Sequence, residues 1–100
     1  MKPKLVRDKI PEIIKADGRI PLTRIAEPDE YWIKLREKLV EEVDEFLESE
    51  KKEELADIVE VIKAICDYKN LGFDQLRVIR KKKVEERGKF EKRIILERID

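Results

Sequence analysis

The sequence has no histidine, a single cysteine and few aromatic residues (6%). Without histidine, histidine general bases, histidine-ligated zinc and Ser-His or Cys-His nucleophilic pairs are all excluded. The lone Cys66 cannot form an intramolecular disulfide, so we expect a cytoplasmic protein. No apolar run approaches the ~18 residues of a membrane span, so no membrane association is expected.

The chain also has no net charge, because 24 basic residues balance 24 acidic ones. This balance argues against membrane surfaces and nucleic-acid polymers as partners. The charges are nevertheless segregated: residues 41–60 contain ten acidic and two basic side chains, and residues 76–93 contain nine basic and three acidic ones. Such runs are commonly solvated helix faces, but an acidic pole and a basic pole also suit a ligand that brings metal and phosphate together. With 100 residues we expect one domain, residues 1–100, small enough for self-association to complete its core.

Hydrophobic periodicity predicts helices and gives no clear signal for a sheet. A short helix is predicted to follow Asp8 as N-cap and to end near Gly18. Two long helices are predicted at about 29–48 and 53–69. A further helix is predicted to start at Asp74 as N-cap and to end near Gly88. Residues 19–28 are predicted to be an irregular arm over the helices, with a very short strand at 22–25 as an option. The tail after Gly88 is expected to pack back on the helices.

The first long helix has an apolar stripe that includes Trp32 and Leu35, and Asp29 is its expected N-cap. The second has an apolar face that includes Leu55, Val59 and Cys66. Both stripes predict core positions.

Four carboxylates lie at the edges of these apolar stripes. Glu42 and Glu45 flank the stripe of the first long helix, and Glu54 and Asp57 occupy the margin of the second. A carboxylate at a buried margin is costly unless it is paired, hydrogen-bonded or bound to a cation. Pairing with Lys or Arg and metal binding therefore both remain open.

Oxygen ligands select hard cations, so a metal at this site is predicted to be Mg²⁺, with Mn²⁺ as the alternative. A di-iron centre typically needs Glu-x-x-His pairs and is disfavoured. Hard cations lead to phosphate chemistry, for which Lys38, Lys83 and Arg87 are the basic candidates. Two of them also have a simpler interpretation. Lys38 can be an i, i+4 partner of Glu42, and Lys83 can belong to a solvated basic run.

The segments EEVDE, at 41–45, and ELAD, at 54–57, resemble the EExxE…ExxD signature of the MazG-like all-α nucleoside triphosphate pyrophosphohydrolases. This family includes relatives of phosphoribosyl-ATP pyrophosphohydrolase and the dimeric dUTPases. The opening KLVRDKIPEII and the closing KKKVEERGKFEKRIIL also resemble those of small single-domain members. The connection between Glu45 and Glu54 is shorter than in many members, and Lys89 stands where small relatives often have a glycine.

The resemblance implies an antiparallel helical bundle completed by oligomerisation into a homodimer or homotetramer. It also implies a nucleotide substrate, cleaved with Mg²⁺ to the monophosphate and pyrophosphate, and a role in nucleotide-pool house-cleaning. The implied metal ligands are Glu42, Glu45, Glu54 and Asp57; the implied catalytic carboxylates are Glu41, Glu42 and Glu45; the implied substrate contacts are Lys38, Lys83, Arg87, Arg7 and Lys9.

Two other functions stay open from the sequence. One is phosphoribosyl-ATP pyrophosphohydrolase activity within the same fold. The other is a non-catalytic helical module whose acidic and basic poles bind a partner protein or a second copy.

Overall fold

In a computed structural model, which describes residues 2–100, the chain forms four helices, with irregular segments before the first helix, between the first and second helices and after the fourth. The helices are α1 (Ile10–Ala16), α2 (Pro28–Ser49), α3 (Lys52–Tyr68) and α4 (Phe73–Arg87). No strand occurs among residues 2–100, so the all-α class is confirmed and the optional strand at 22–25 is not formed. None of the helices in this range has the length and apolar character needed to cross a membrane.

The two long helices form an antiparallel hairpin. Glu50, with φ of +56°, ends α2 in the left-handed conformation, and its N–H donates to the Phe46 carbonyl. The chain then reverses within two residues and α3 packs along α2. At the far end of the hairpin, the Trp32 ring stacks on the Tyr68 ring with centroids 5.0 Å apart.

The core between these helices is small. Leu35 is 1% exposed, and Val61 and Cys66 are the other buried apolar side chains identified. The predicted core face of α3 is partly wrong, because Leu55 and Val59 lie about half exposed while Val61 faces α2. The periodicity located the apolar side of α3 but not the sector that meets α2.

The helix ends also differ from prediction, although most boundaries agree within one or two residues. Asp8, Asp29 and Asp74 are not N-caps; the caps are Lys9, Glu27 and Gly72. At the start of α4 the N–H of the N-cap residue Gly72 donates to Gln75 Oε1 at 2.8 Å, so a side chain from the first turn of the helix satisfies this backbone N–H. Pro28 starts α2 because its ring fixes a helical φ and its missing N–H needs no partner there.

The irregular segments do not cover the helices as predicted. In the arm after α1, Ile20, Leu22 and Ile25 are almost fully exposed. In the tail, Phe90 is 98% exposed and residues 94–96 are largely exposed, with one turn closed by the Arg93 N–H donating to the Phe90 carbonyl. These expectations were wrong for the single chain, which leaves apolar side chains of both segments facing solvent.

Candidate functional site

The predicted carboxylates meet where α2 and α3 face each other. Oxygen atoms of Glu42, Glu54 and Asp57 all lie within 4.8 Å of one another. Oxygen atoms of Glu41, Glu42 and Glu45 form a second group with the same spread. Glu42 belongs to both groups, so the five carboxylates form one cluster.

Antiparallel pairing and helical spacing explain this convergence. Glu42 and Glu45 are three residues apart on α2, and Glu54 and Asp57 are three apart on α3, so each pair shares one side of its helix. The short connection between the helices places the end of α2 against the start of α3. The two carboxylate pairs, each predicted from spacing within one helix, therefore form one cluster across the two helices.

Glu42 is the most unusual member of the cluster. It is only 6% exposed, and its Oε1 lies 3.1 Å from Lys38 Nζ. Its Oε2 is buried and has no hydrogen-bond partner among residues 2–100. An unsatisfied buried carboxylate oxygen is costly, and a bound cation is one way to satisfy it.

Three basic side chains surround the carboxylates. Lys38 Nζ contacts Glu41 as well as Glu42, and Lys4 Nζ donates to the other oxygen of Glu41 at 3.2 Å. Arg7, which precedes α1, donates from Nη2 to Oδ1 of Asp57 on α3 at 2.7 Å. Three positive groups against five carboxylates leave two negative charges unmatched, which is the charge of one divalent cation.

The environment shifts three pKa values within the cluster. Partial desolvation raises the pKa of Glu45, and the charge of Glu42, a hydrogen bond with the Glu42 carboxylate and the charges of Glu54 and Glu41 raise it further. Partial burial acts to raise the pKa of Glu41, but hydrogen bonds from Lys4 and Lys38 outweigh it and hold the pKa below its ordinary value. Burial acts to lower the pKa of Lys38, but its bonds to Glu42 and Glu41 prevail and raise it.

The remaining predicted contacts lie apart from the cluster. Lys83 and Arg87 are exposed on α4, which packs on α3 and makes no contact with α2 in the described chain. Lys9 is the exposed N-cap of α1. Neither Lys83, Arg87 nor Lys9 forms a salt bridge with a carboxylate among residues 2–100.

Sequence reasoning missed Lys4 and did not predict that Arg7 would pair with a carboxylate of the cluster. Both lie in the irregular segment before α1, where no periodicity indicates which helix the chain will cross. The charge pattern alone gave no signal, because lysine and arginine are abundant along the whole chain.

Comparison with known proteins adds little about function. No protein-family model matches the chain, and no solved structure matches it. A curated protein of Mycolicibacterium smegmatis (strain ATCC 700084 / mc(2)155), named only as an uncharacterized protein, is 58% identical over 41 residues. The match spans 41% of this chain and 42% of that relative, which is less than half of either protein. The function must therefore be argued from the site itself.

Proposed function

We propose that this protein is a Mg²⁺-dependent nucleoside triphosphate pyrophosphohydrolase of the MazG-like type, acting in nucleotide-pool house-cleaning. The observation that carries the proposal is the buried, unpartnered Oε2 of Glu42 at the centre of a cluster with two unmatched negative charges. A buried carboxylate oxygen without a partner is costly, and a cation bound at the cluster would satisfy it.

Glu42, Glu45, Glu54 and Asp57 would hold the cation. The donor set consists only of carboxylate oxygens, which suits Mg²⁺ or Mn²⁺. When bound, the cation supplies charge neutralisation for the phosphates and makes a bound water more acidic. The residues present therefore fit this group.

One of the candidate catalytic carboxylates Glu41, Glu42 and Glu45 would accept the proton of the attacking water. Glu41 is less suited, since Lys4 and Lys38 stabilise its ionised form. Glu41 instead holds these two lysines beside the site. The water oxygen then joins phosphorus as the bond to the pyrophosphate leaving group breaks.

The proposed phosphate contacts come from two places: Lys38 beside the cluster, and Lys83 and Arg87 on α4. Lys38 is already in place, because its Nζ lies against Glu42. Lys83 and Arg87 are exposed, lie on the far helix and have no carboxylate partner within residues 2–100. They would reach a nucleotide only if it extends toward α4 or if a second copy presents them.

A homodimer or homotetramer is part of the proposal. The single chain exposes Leu22 and Ile25 in the arm, Phe90 and Ile95 in the tail, and Val59 on α3. Burying this apolar surface against another copy would be favourable by about 25 cal/mol for each Å² removed from water.

The same exposed surface favours the second candidate function, a non-catalytic helical module that binds a partner. The two candidate functions predict different results when a carboxylate of the cluster is replaced. If the protein is an enzyme, Glu54→Gln abolishes divalent-cation binding and turnover with helical content unchanged, while the matched change at exposed Glu53 has no effect. If Glu54→Gln alters only stability or association, the carboxylates are structural.

The direct test of the enzyme is release of pyrophosphate, rather than orthophosphate, from a broad panel of nucleotides with Mg²⁺. Including phosphoribosyl-ATP in the panel separates the general nucleotide activity from the biosynthetic alternative. No pyrophosphate from any substrate would refute the proposed activity.

A further inference from the structure

The residues before α1 form a segment that runs beside α2 in matching register. Lys2 Nζ lies 4.0 Å from Glu37, and Lys4 Nζ lies 3.2 Å from Glu41. Two residues of extended chain advance ~6.6 Å, and four residues of a helix advance ~6 Å, so consecutive lysines meet consecutive turns of α2. We call residues 2–9 the N-terminal strap.

The strap then crosses from α2 to α3. Leu5 and Val6 are half-buried, so the middle of the strap is held against the helices. Immediately after them, the Arg7 guanidinium donates to Asp57 Oδ1 at 2.7 Å. The strap therefore delivers one arginine to the edge of the carboxylate cluster, anchored on the α2 side by Lys4 and Glu41.

The Arg7 contact has opposite consequences for two kinds of ligand. A divalent cation near Asp57 is repelled by the guanidinium beside the same carboxylate, since like charges a few ångströms apart disfavour each other. A cation that arrives with a triphosphate brings negative charge, and a guanidinium fork binds phosphate oxygens well. Arg7 is 54% exposed, which leaves its side chain free to turn toward such a ligand.

We propose that Arg7 is a specificity-determining residue that makes the site discriminate against the bare cation and in favour of the cation–triphosphate complex. This inference rests on the proposed function, because it takes Asp57 as a cation ligand. The strap keeps Arg7 in reach of the site, and the ion pair with Asp57 holds the guanidinium there until a polyphosphate arrives. The chemical class recognised is a polyphosphate chelated to a hard divalent cation.

The test measures two affinities by isothermal titration calorimetry. The first ligand is Mn²⁺ alone, and the second is Mn²⁺ complexed with inorganic tripolyphosphate, which has no base or sugar. Arg7→Ala is expected to bind bare Mn²⁺ about threefold more tightly and the complex at least about threefold more weakly, as for loss of an exposed charge contact. Arg77→Ala is the matched control, since Arg77 pairs with Asp74 at the start of α4 and should leave both affinities unchanged.

The outcomes separate this inference from the proposed function. If the wild-type protein binds neither bare Mn²⁺ nor its tripolyphosphate complex, the cation site itself fails and the inference falls with it. If the wild-type protein binds Mn²⁺ but Arg7→Ala shifts both affinities in the same direction, or neither, the inference is overturned and the cation site stands. Should Arg7→Ala lose helical content, Arg7→Gln replaces it, because glutamine can still donate to Asp57 without the charge and is expected to give the same two opposed shifts.

Discussion

Replacing Glu42 with glutamine distinguishes a cation site from a structural salt bridge. Glu42→Gln keeps the shape of the side chain and removes its charge. If the Lys38–Glu42 pair holds the fold together, Glu42→Gln should lose much of the about 3–5 kcal/mol that breaking a buried ion pair costs. A cation site predicts a small change in the metal-free protein and a complete loss of the stabilisation that metal provides.

The small change follows from the distances. At an effective dielectric constant of about 20, Lys38 at 3.1 Å attracts Glu42 by about 5 kcal/mol. Four carboxylates, those of Glu41, Glu45, Glu54 and Asp57, have an oxygen no more than 4.8 Å from Glu42, and each repels it by about 3.5 kcal/mol or more. Lys4 and Arg7 offset part of the repulsion from Glu41 and Asp57. The repulsion is at least as large as the attraction, so we expect Glu42→Gln to cost the metal-free protein less than about 2 kcal/mol of unfolding free energy. Lys38 keeps its contact with Glu41 in this variant.

The assay is thermal unfolding with and without Mn²⁺, followed by circular dichroism. Metal at a hundred times its Kd stabilises the native state by about 2.7 kcal/mol. For a domain of this size that raises the Tm by roughly 10–20 °C. The wild-type protein should show this rise and Glu42→Gln should not, while the control Asp44→Asn, at an exposed position on α2, should behave as wild type. A loss of 3 kcal/mol or more in Glu42→Gln, with no Mn²⁺ effect on the wild type, would refute the reasoning.

Three further predictions concern the core, the pH dependence and the exposed tail. Leu35→Ala should lower the free energy of unfolding in urea by about 2–5 kcal/mol because it empties the tightest position of the core, whereas Ile33→Ala, at a half-exposed position, should cost much less. Because the pKa of Glu45 is raised, ionising this side chain lowers the free energy of unfolding. This loss of stability is absent below the unfolded-state pKa of Glu45 and is complete above its folded-state pKa. Glu45→Gln should therefore stabilise the metal-free protein by about 0.5 kcal/mol at pH 7 and leave it unchanged near pH 3, and equal effects at both pH values would contradict this cause. Ile95→Asp in the exposed tail should reduce the mass measured by sedimentation if the tail contributes to self-association, and an unchanged oligomer would exclude that contribution.

The local parts of the structure could be predicted from the sequence because they depend on neighbouring residues. The helical period placed the helices and set Glu42 with Glu45, and Glu54 with Asp57, each pair on one side of its helix. A short connection between amphipathic helices favours an antiparallel hairpin, and the hairpin brings the two pairs together.

The non-local parts could not be predicted, because they depend on contacts that have no periodic signal. The strap is irregular, so nothing in the sequence indicated that Arg7 would meet Asp57 or that Lys4 would meet Glu41. The face of α3 that meets α2 was partly misassigned because apolar residues occupy more than one sector of that helix. The N-caps were misassigned because Pro28 and the Gly72–Gln75 pair satisfied the helix starts without an aspartate.

The central claim is tested most directly by measuring pyrophosphate released from a nucleotide panel by the wild-type protein, Glu54→Gln and Glu53→Gln in Mg²⁺. The account predicts pyrophosphate from at least one nucleoside triphosphate with wild type and Glu53→Gln, and none with Glu54→Gln at unchanged helical content. Equal release by all three proteins, or none from wild type, would contradict it.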